Sequence, residues 1–234
     1  MKDILDLRDR RIAIVADPHL SFVHTEDIHP FCEQLDSLKG VDAFVCLGDL
    51  FDFWLGPGNW SVPAFQALKD SLLQLNKRGV KLVFVRGNRD VLLENKDVSE
   101  FEGVVVDSLL GGGGEDSVLL SHGDEYCLGD LDYQRLRRNL RRPWLRSLLR
   151  FLPWSLRRWM GLRMRAFSST AVARKPLDAL ALREEAVRAA CNKAGCHQAL
   201  IGHLHRSEAR DLSGGISLRV LSAWVPGSPF EILG

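Results

Sequence analysis

The chain has 234 residues, of which 46% are hydrophobic and 26% charged, and its formal net charge is +1. That profile excludes a fibrous or low-complexity protein and suits a single soluble domain, able to bury a core without metal or disulfide staples. The five cysteines (Cys32, Cys46, Cys127, Cys191, Cys196) are scattered, odd in number and never spaced as CxxC, which argues against a disulfide framework or zinc ribbon and for a reducing compartment. Met1–Arg11 is too charged for a signal peptide, and no uncharged apolar run approaches the ~20 residues of a membrane span, so the expected location is the cytoplasm.

Taken in chain order, Arg11–Ala16 is a β-branched run that predicts a buried strand ending at Asp17. Asp42–Leu47 predicts a second, ending in Gly48-Asp49, and Val80–Val85 a third, ending in Gly87-Asn88. Between them Pro63–Arg78 has helical periodicity with proline in its first turn. Strands alternating with helices imply a βαβ core with a parallel sheet. Gly103–Leu110 and Asp116–Ser121 are read as a hairpin around Gly111–Gly114. A basic segment follows from about Asp130, cut by Pro143 and Pro153 into short helices. Asp178–Ala194 predicts a helix closing on Gly195, and His197–Ile201 a strand ending in Gly202-His203. Arg206–Trp224 predicts two short strands around Ser213-Gly214-Gly215.

Five of the predicted strands run into a polar cluster: Asp17-Pro18-His19, Gly48-Asp49-Leu50-Phe51-Asp52, Gly87-Asn88-Arg89-Asp90, Ser121-His122-Gly123-Asp124 and Gly202-His203-Leu204-His205. One Asp or His after a strand is most often a cap or surface turn. Five in succession share a better explanation, because open α/β sheets gather ligand sites at the carboxyl ends of their strands. Carboxylate and amide oxygens with imidazole nitrogens, and no thiolate, suit divalent ions such as manganese, iron, zinc or magnesium. Two such ions sharing a carboxylate activate water for attack on phosphorus.

The blocks DxH, GDxxD, GNRD, a lone His-Gly and GHxH, spanning Asp17 to His205, resemble the signature of the calcineurin-like metallophosphoesterases. The resemblance implies an α/β fold of two packed β-sheets flanked by helices. It also implies that Asp17, His19, Asp49 and His205 hold one metal. Asp49, Asn88, His122 and His203 would hold the other, with Asp49 bridging. Many relatives have histidine where this chain has Arg89. An arginine cannot give up a proton, but its fork binds phosphate oxygens, which suits a pyrophosphate with its weakly basic leaving group.

Leu47 to Trp54 with Gly56, Gly87-Asn88-Arg89-Asp90, His122-Gly123-Asp124, Cys127, Asp130, Tyr133, Arg163-Met164-Arg165-Ala166, Gly202-His203-Leu204-His205-Arg206 and Ala223-Trp224 are similar to one branch, the UDP-2,3-diacylglucosamine pyrophosphatases of lipid A biosynthesis. That likeness implies attack at the α-phosphorus, giving UMP and 2,3-diacylglucosamine 1-phosphate. It also implies two divalent ions, manganese preferred, and peripheral attachment to the cytoplasmic face of the inner membrane. The residues it places on catalysis are Asp49, Asn88, Arg89 and His203. Those it places on substrate are Asn88, Arg89, Asp130, Ser168, Arg174, Lys175 and His203. Val172 stands where some members have a polar or basic side chain, and Leu204 and Pro18 replace common Thr and Leu.

The basic segment is consistent with this. Tyr133–Leu177 has twelve arginines, one lysine and no acid, while the remainder carries 18 basic and 30 acidic side chains. Interleaved Trp, Leu and Arg can set an apolar face against lipid and cations against phosphates. The expected domain plan is therefore one domain over 1–234 with a helical cap at approximately 130–177. Ordinary packing of that segment remains open, as does a soluble nucleotide or nucleotide-sugar pyrophosphatase or phosphodiesterase. A nucleic-acid-binding scaffold is disfavoured by the complete ligand set, and no nucleic acid or obligate protein partner is expected. His24 and His29, in a loop, and His197 are not expected to be ligands, and Cys127 reads as packing. Asp52, Asp90 and Asp124 are expected to orient an imidazole or the Arg89 fork.

Overall fold

The computed structural model describes residues 4–113, 116–173 and 181–234, and side chains throughout these except at 164–173. In chain order the elements are β1 (Leu5–Asp6), β2 (Ile12–Val15), α1 (Ile28–Ser37), β3 (Ala43–Cys46), α2 (Pro63–Lys77), β4 (Lys81–Val85), α3 (Asn95–Val98), β5 (Val104–Val106), β6 (Ser108–Gly111) and β7 (Val118–Ser121). There follow α4 (Leu131–Leu140), α5 (Pro143–Phe151), α6 (Trp154–Ala173), α7 (Glu184–Ala194), β8 (Gln198–Ile201), β9 (Glu208–Leu212), β10 (Ile216–Val220) and β11 (Glu231–Leu233).

The strands form two sheets, a five-stranded one in the order β11-β2-β3-β4-β5 and a six-stranded one in the order β1-β6-β7-β8-β10-β9. In the first, β2 to β5 run parallel and β11 closes the edge antiparallel. The alternation of side chains divides each strand between two cores. Ile12 and Ile14 of β2 and Val83 and Val85 of β4 face Leu109, Val118, Leu120 and Leu200 of the other sheet. Ala13, Val15, Phe44, Leu82 and Phe84 face the opposite way, against α1 and α2. Strands buried on both faces must be apolar throughout, which is why they read so clearly in the sequence.

Helix α2 offers Phe65, Leu68, Leu72 and Leu75 to the sheet from one stripe, with Pro63 in its first turn. Helix α1 does the same with Ile28, Phe31, Cys32 and Leu35. On the far side Val187 and Cys191 of α7 cover Leu119, Ala199, Ile201 and Leu218. The molecule is thus layered helix, sheet, sheet, helix, each fully buried large side chain contributing about 1.5–3 kcal/mol.

Several expectations are corrected. Gly103–Leu110 is two strands: Val104–Val106 pairs in parallel with β4, and Ser108–Gly111 pairs antiparallel with β7 in the other sheet. The chain changes sheets at Asp107, and only the second half forms the expected hairpin. Residues 24–29 are not all loop, since His29 lies on α1, exposed, with Nε2 3.3 Å from Glu33 Oε1. Helix α7 begins at Glu184, later than expected; 181–183 are non-helical and 174–180 lie outside the described residues. The edge strands β1 and β11 were not expected. Among the described residues no helix is long and apolar enough to cross a membrane.

Candidate metal centre

The polar clusters following β2, β3, β4, β7 and β8 meet at one edge of the two sheets. Backbone pairing holds them there. The His19 amide donates to the Asp49 carbonyl (2.9 Å), that of Leu20 to Leu50 (2.9 Å) and that of Gly202 to His122 (3.0 Å). Carboxylates tie loop to loop as well. Asp17 Oδ2 accepts from the His203 amide (2.7 Å), and Asp49 Oδ1 from the Arg89 amide (2.8 Å). Close approach explains two glycines: a Cβ at Gly202 would lie 2.5 Å from Asp17 Oδ2, and one at Gly87 would strike the Asp49 carboxylate and amide.

Asp17, His19, Asp49, His203 and His205 all have positive φ, between 48° and 68°. This left-handed region costs a residue with a Cβ about 1–3 kcal/mol and is found mostly where function requires it. Five such residues in the clusters that the sequence singles out mark the site.

The donor atoms face one another. His19 Nε2 and His205 Nε2 lie 3.0 Å apart, and His205 Nε2 is 3.7 Å from Asp17 Oδ1. Asp49 turns one oxygen to each side, Oδ2 3.9 Å from His19 Nδ1 and Oδ1 3.8 Å from His122 Nε2. His122 Nδ1 donates to the Leu47 carbonyl (2.9 Å), which directs Nε2 towards Asn88 Oδ1 at 3.1 Å. The His203 ring stands edge-on to His122 with centroids 4.9 Å apart. Asp17, His19 and His205 make one group that could hold an ion, and Asp17, Asp49 and His122 another. Thus the structure brings together all seven residues proposed as ligands, although Asp17 rather than Asp49 is the carboxylate common to both groups.

The electrostatics fit divalent cations. Burial pushes the Asp49 carboxyl up to about 8, further than His122 can offset, and burial also raises Asp17 and Asp90. Burial opposes the His122 imidazolium, but Asp49, Asp17, Asp124 and the Leu47 carbonyl outweigh it and raise His122 to about 9. Burial, with neighbouring cationic groups, lowers His19 and His203 to about 3. Asp17 Oδ1 and His19 Nδ1 are buried without a hydrogen-bond partner. Two buried carboxylates beside each other, an orphaned carboxylate oxygen and the neutral imidazoles of His19 and His203 are what bound cations would satisfy.

The surrounding residues take more varied roles. The Arg89 guanidinium lies 3.4 Å from Asp52 Oδ1 and over the Phe53 ring at 5.3 Å. Asp90 does not touch that fork; its oxygens accept from the Gly87 (2.7 Å) and Leu50 (3.1 Å) amides and lock two loops together. Asp124 pairs with helix α4 instead, accepting from Tyr133 Oη (2.5 Å) and Arg137 Nε (2.7 Å). Sequence reading missed that pairing, whose only signal was an acid beside a ligand followed by arginines. Asp130 accepts from the Tyr133 amide (3.1 Å) and so caps α4. The side chains of Ser168, Val172, Arg174 and Lys175 lie outside the described residues.

Residues 10–207 match the calcineurin-like phosphoesterase family model, and the chain belongs to that family. It is a hydrolase with a divalent-metal site. Its relatives sharpen the picture: the chain is 36% identical to the UDP-2,3-diacylglucosamine hydrolase of Aeromonas salmonicida over 180 residues, covering 74% of this chain and 68% of that one. It is 35% identical to the hydrolase of that name from Sodalis glossinidius (82% and 81% covered), and 32% identical to that of Actinobacillus succinogenes (90% and 90% covered).

Proposed function

We propose that this protein hydrolyses the pyrophosphate of UDP-2,3-diacylglucosamine, releasing UMP and 2,3-diacylglucosamine 1-phosphate for lipid A biosynthesis. The observation that carries the reading is the convergence of donor atoms from Asp17, His19, Asp49, His122 and His205, with Asn88 Oδ1 and the His203 ring beside His122, in a chain 36% identical to a hydrolase of that name. Asp17, His19, Asp49 and His205 would hold one ion, and Asp49, Asn88, His122 and His203 the other, with manganese the preferred metal. When bound, such ions polarise phosphoryl oxygens and lower the pKa of water.

The chain's own groups do the rest. The Leu47 carbonyl fixes the His122 tautomer, so that Nε2 faces inward. His203 is held neutral by burial, which keeps its ring free to accept. Asp52 and Phe53 brace the Arg89 fork, which would grip phosphate oxygens and spare the leaving phosphate any need of a proton. Asn88, Asp130, Ser168, Arg174 and Lys175 would complete the headgroup contacts.

Helices α4 to α6 would form a cap over about 130–177. Trp144, Leu148 and Phe151 of α5 are exposed, Phe151 at 87%. Such a face suits acyl chains and a peripheral hold on the cytoplasmic leaflet of the inner membrane. It also favours the diacylated substrate over a soluble nucleotide sugar.

The test is product analysis with the diacyl substrate, with and without Mn2+. Manganese-dependent release of UMP is expected; release of UDP, or equal rates on UDP-GlcNAc, would overturn the reading. Asn88→Ala should lower turnover by more than about 100-fold, since even outer-shell partners of a metal are worth about 10–100-fold, with an unchanged circular dichroism spectrum.

A further inference from the structure

The loop that begins at His122 is also the seat of helix α4. Asp124 is fully buried, and one oxygen takes hydrogen bonds from both Tyr133 and Arg137. Arg141 stands 3.7 Å from the other oxygen, which has no hydrogen-bond partner. The buried Gln134 side chain donates to the Asp124 carbonyl (2.8 Å) and to that of Cys127 (3.1 Å). Successive turns of α4, with Arg141 just beyond its end, therefore face one short loop, and Tyr133, Gln134 and Arg137 grip it. At its other end His122 is pinned to Leu47 and receives the Gly202 amide, one residue before His203.

We infer that Asp124 is a positioning residue that couples the metal centre to the seating of α4, so that each stabilises the other. The inference rests on the metal-site reading above. Its physical basis is that the loop is rigid over the few residues between His122 and Cys127. The Tyr126 amide closes a turn onto Gly123, and Glu125 takes the Gly123 amide. A displacement of α4 is therefore passed to the His122 ring and to the strand carrying His203. Coupling between two sites is reciprocal, so ions that fix His122 must tighten α4 by the factor by which α4 tightens them.

The test uses the full chain, Mn2+ as the probe and variants that keep the charge constant. Removing Arg137 would also remove the cation paired with Asp124 and mix two effects. Gln134→Met and Tyr133→Phe each break a grip of α4 on the loop. Both are expected to weaken Mn2+ binding by calorimetry, Gln134→Met by about 10-fold, at the lower edge of the outer-shell range. In the wild type, Mn2+ should slow amide hydrogen exchange across Leu131–Leu140 by a similar factor, and less so in either variant. Arg150→Lys loosens the two-pronged hold of α5 on Asp97 instead, keeps the charge, and should leave Mn2+ affinity within about twofold. Wild-type affinity in both neutral variants, or equal weakening by Arg150→Lys, overturns the coupling while leaving the metal site intact. No Mn2+ binding by the wild type overturns both.

Discussion

The β-sandwich and the helical segment α4–α6 are built on opposite rules. In the sandwich and the helices packed on it Phe31, Phe44, Phe65 and Phe84 are buried, and the buried carboxylates other than Asp97 and Asp130 lie in the loops of the site. In the segment Leu131, Leu136, Trp144, Leu148, Phe151 and Trp159 are exposed, while Arg137, Arg141, Arg150 and Arg157 turn inward. Arg150 makes a two-pronged bond to Asp97 (2.6 and 2.7 Å), Arg141 reaches Asp107 (2.8 Å), Arg137 reaches Asp124, and Arg157 the Leu55 carbonyl. Four arginines of the cationic segment thus help fasten it to the body, a role the sequence did not announce. Polar attachment leaves the apolar surface free to be used for something other than folding.

The first way to break this contrast is to exchange the rules. Phe44→Ala should cost about 3–5 kcal/mol in urea unfolding, as for large cavities elsewhere. Arg150→Met should cost about 3 kcal/mol or more, because it leaves Asp97, held also by Trp54 Nε1, buried without its cation. Limited proteolysis should then cut first within Pro143–Phe151. If the variant keeps wild-type stability, the segment is held by packing and the contrast fails.

A smaller effect should appear with pH. In the metal-free fold Asp49 keeps its proton to about pH 8, whereas an unfolded aspartate releases it near ~4. The metal-free fold therefore binds more protons than the unfolded chain across that window, and it loses stability as pH rises through it. His122, raised to about 9, adds stability that is likewise lost as pH rises towards that value. Mn2+ has to displace these protons. Its affinity should climb between pH 7 and 9, by up to about 10-fold per unit for each proton released. Calorimetry in buffers of different ionisation enthalpy reads that release, and a flat profile would show that Asp49 is already ionised.

The smallest effect is expected at the outer face. Phe151→Ser should change unfolding free energy by no more than about 0.5 kcal/mol, yet reduce turnover of the diacyl substrate and binding to anionic vesicles. A marked loss of stability would mean that Phe151 serves packing after all.

Much of this was legible in the chain. Strands apolar on both faces that stop at a polar cluster announce both the sheet and the loops that meet at the site, and the resemblance to the metallophosphoesterase blocks singled out the seven proposed donors in those loops. The change of sheet at Asp107 was not legible, because Val104 to Leu110 is apolar on either side of it and periodicity registers no break. Strands β1 and β11 are too short to carry a pattern. The partners of Asp97 and Asp124 were hidden for another reason. Arg150 lies 53 positions from Asp97, and Arg137 was one arginine among twelve.

The left-handed backbone at Asp17, His19, Asp49, His203 and His205 has one more consequence. These loops hold their shape against local preference, by hydrogen bonds to neighbouring loops that need no ion. An arriving cation then finds its donors already gathered and gives up little of its binding energy to ordering them. The same feature narrows the routes by which such a chain could drift. A β-branched residue at any of the five would burden the fold as well as the chemistry, whereas glycine would silence the centre while relaxing the loops around it.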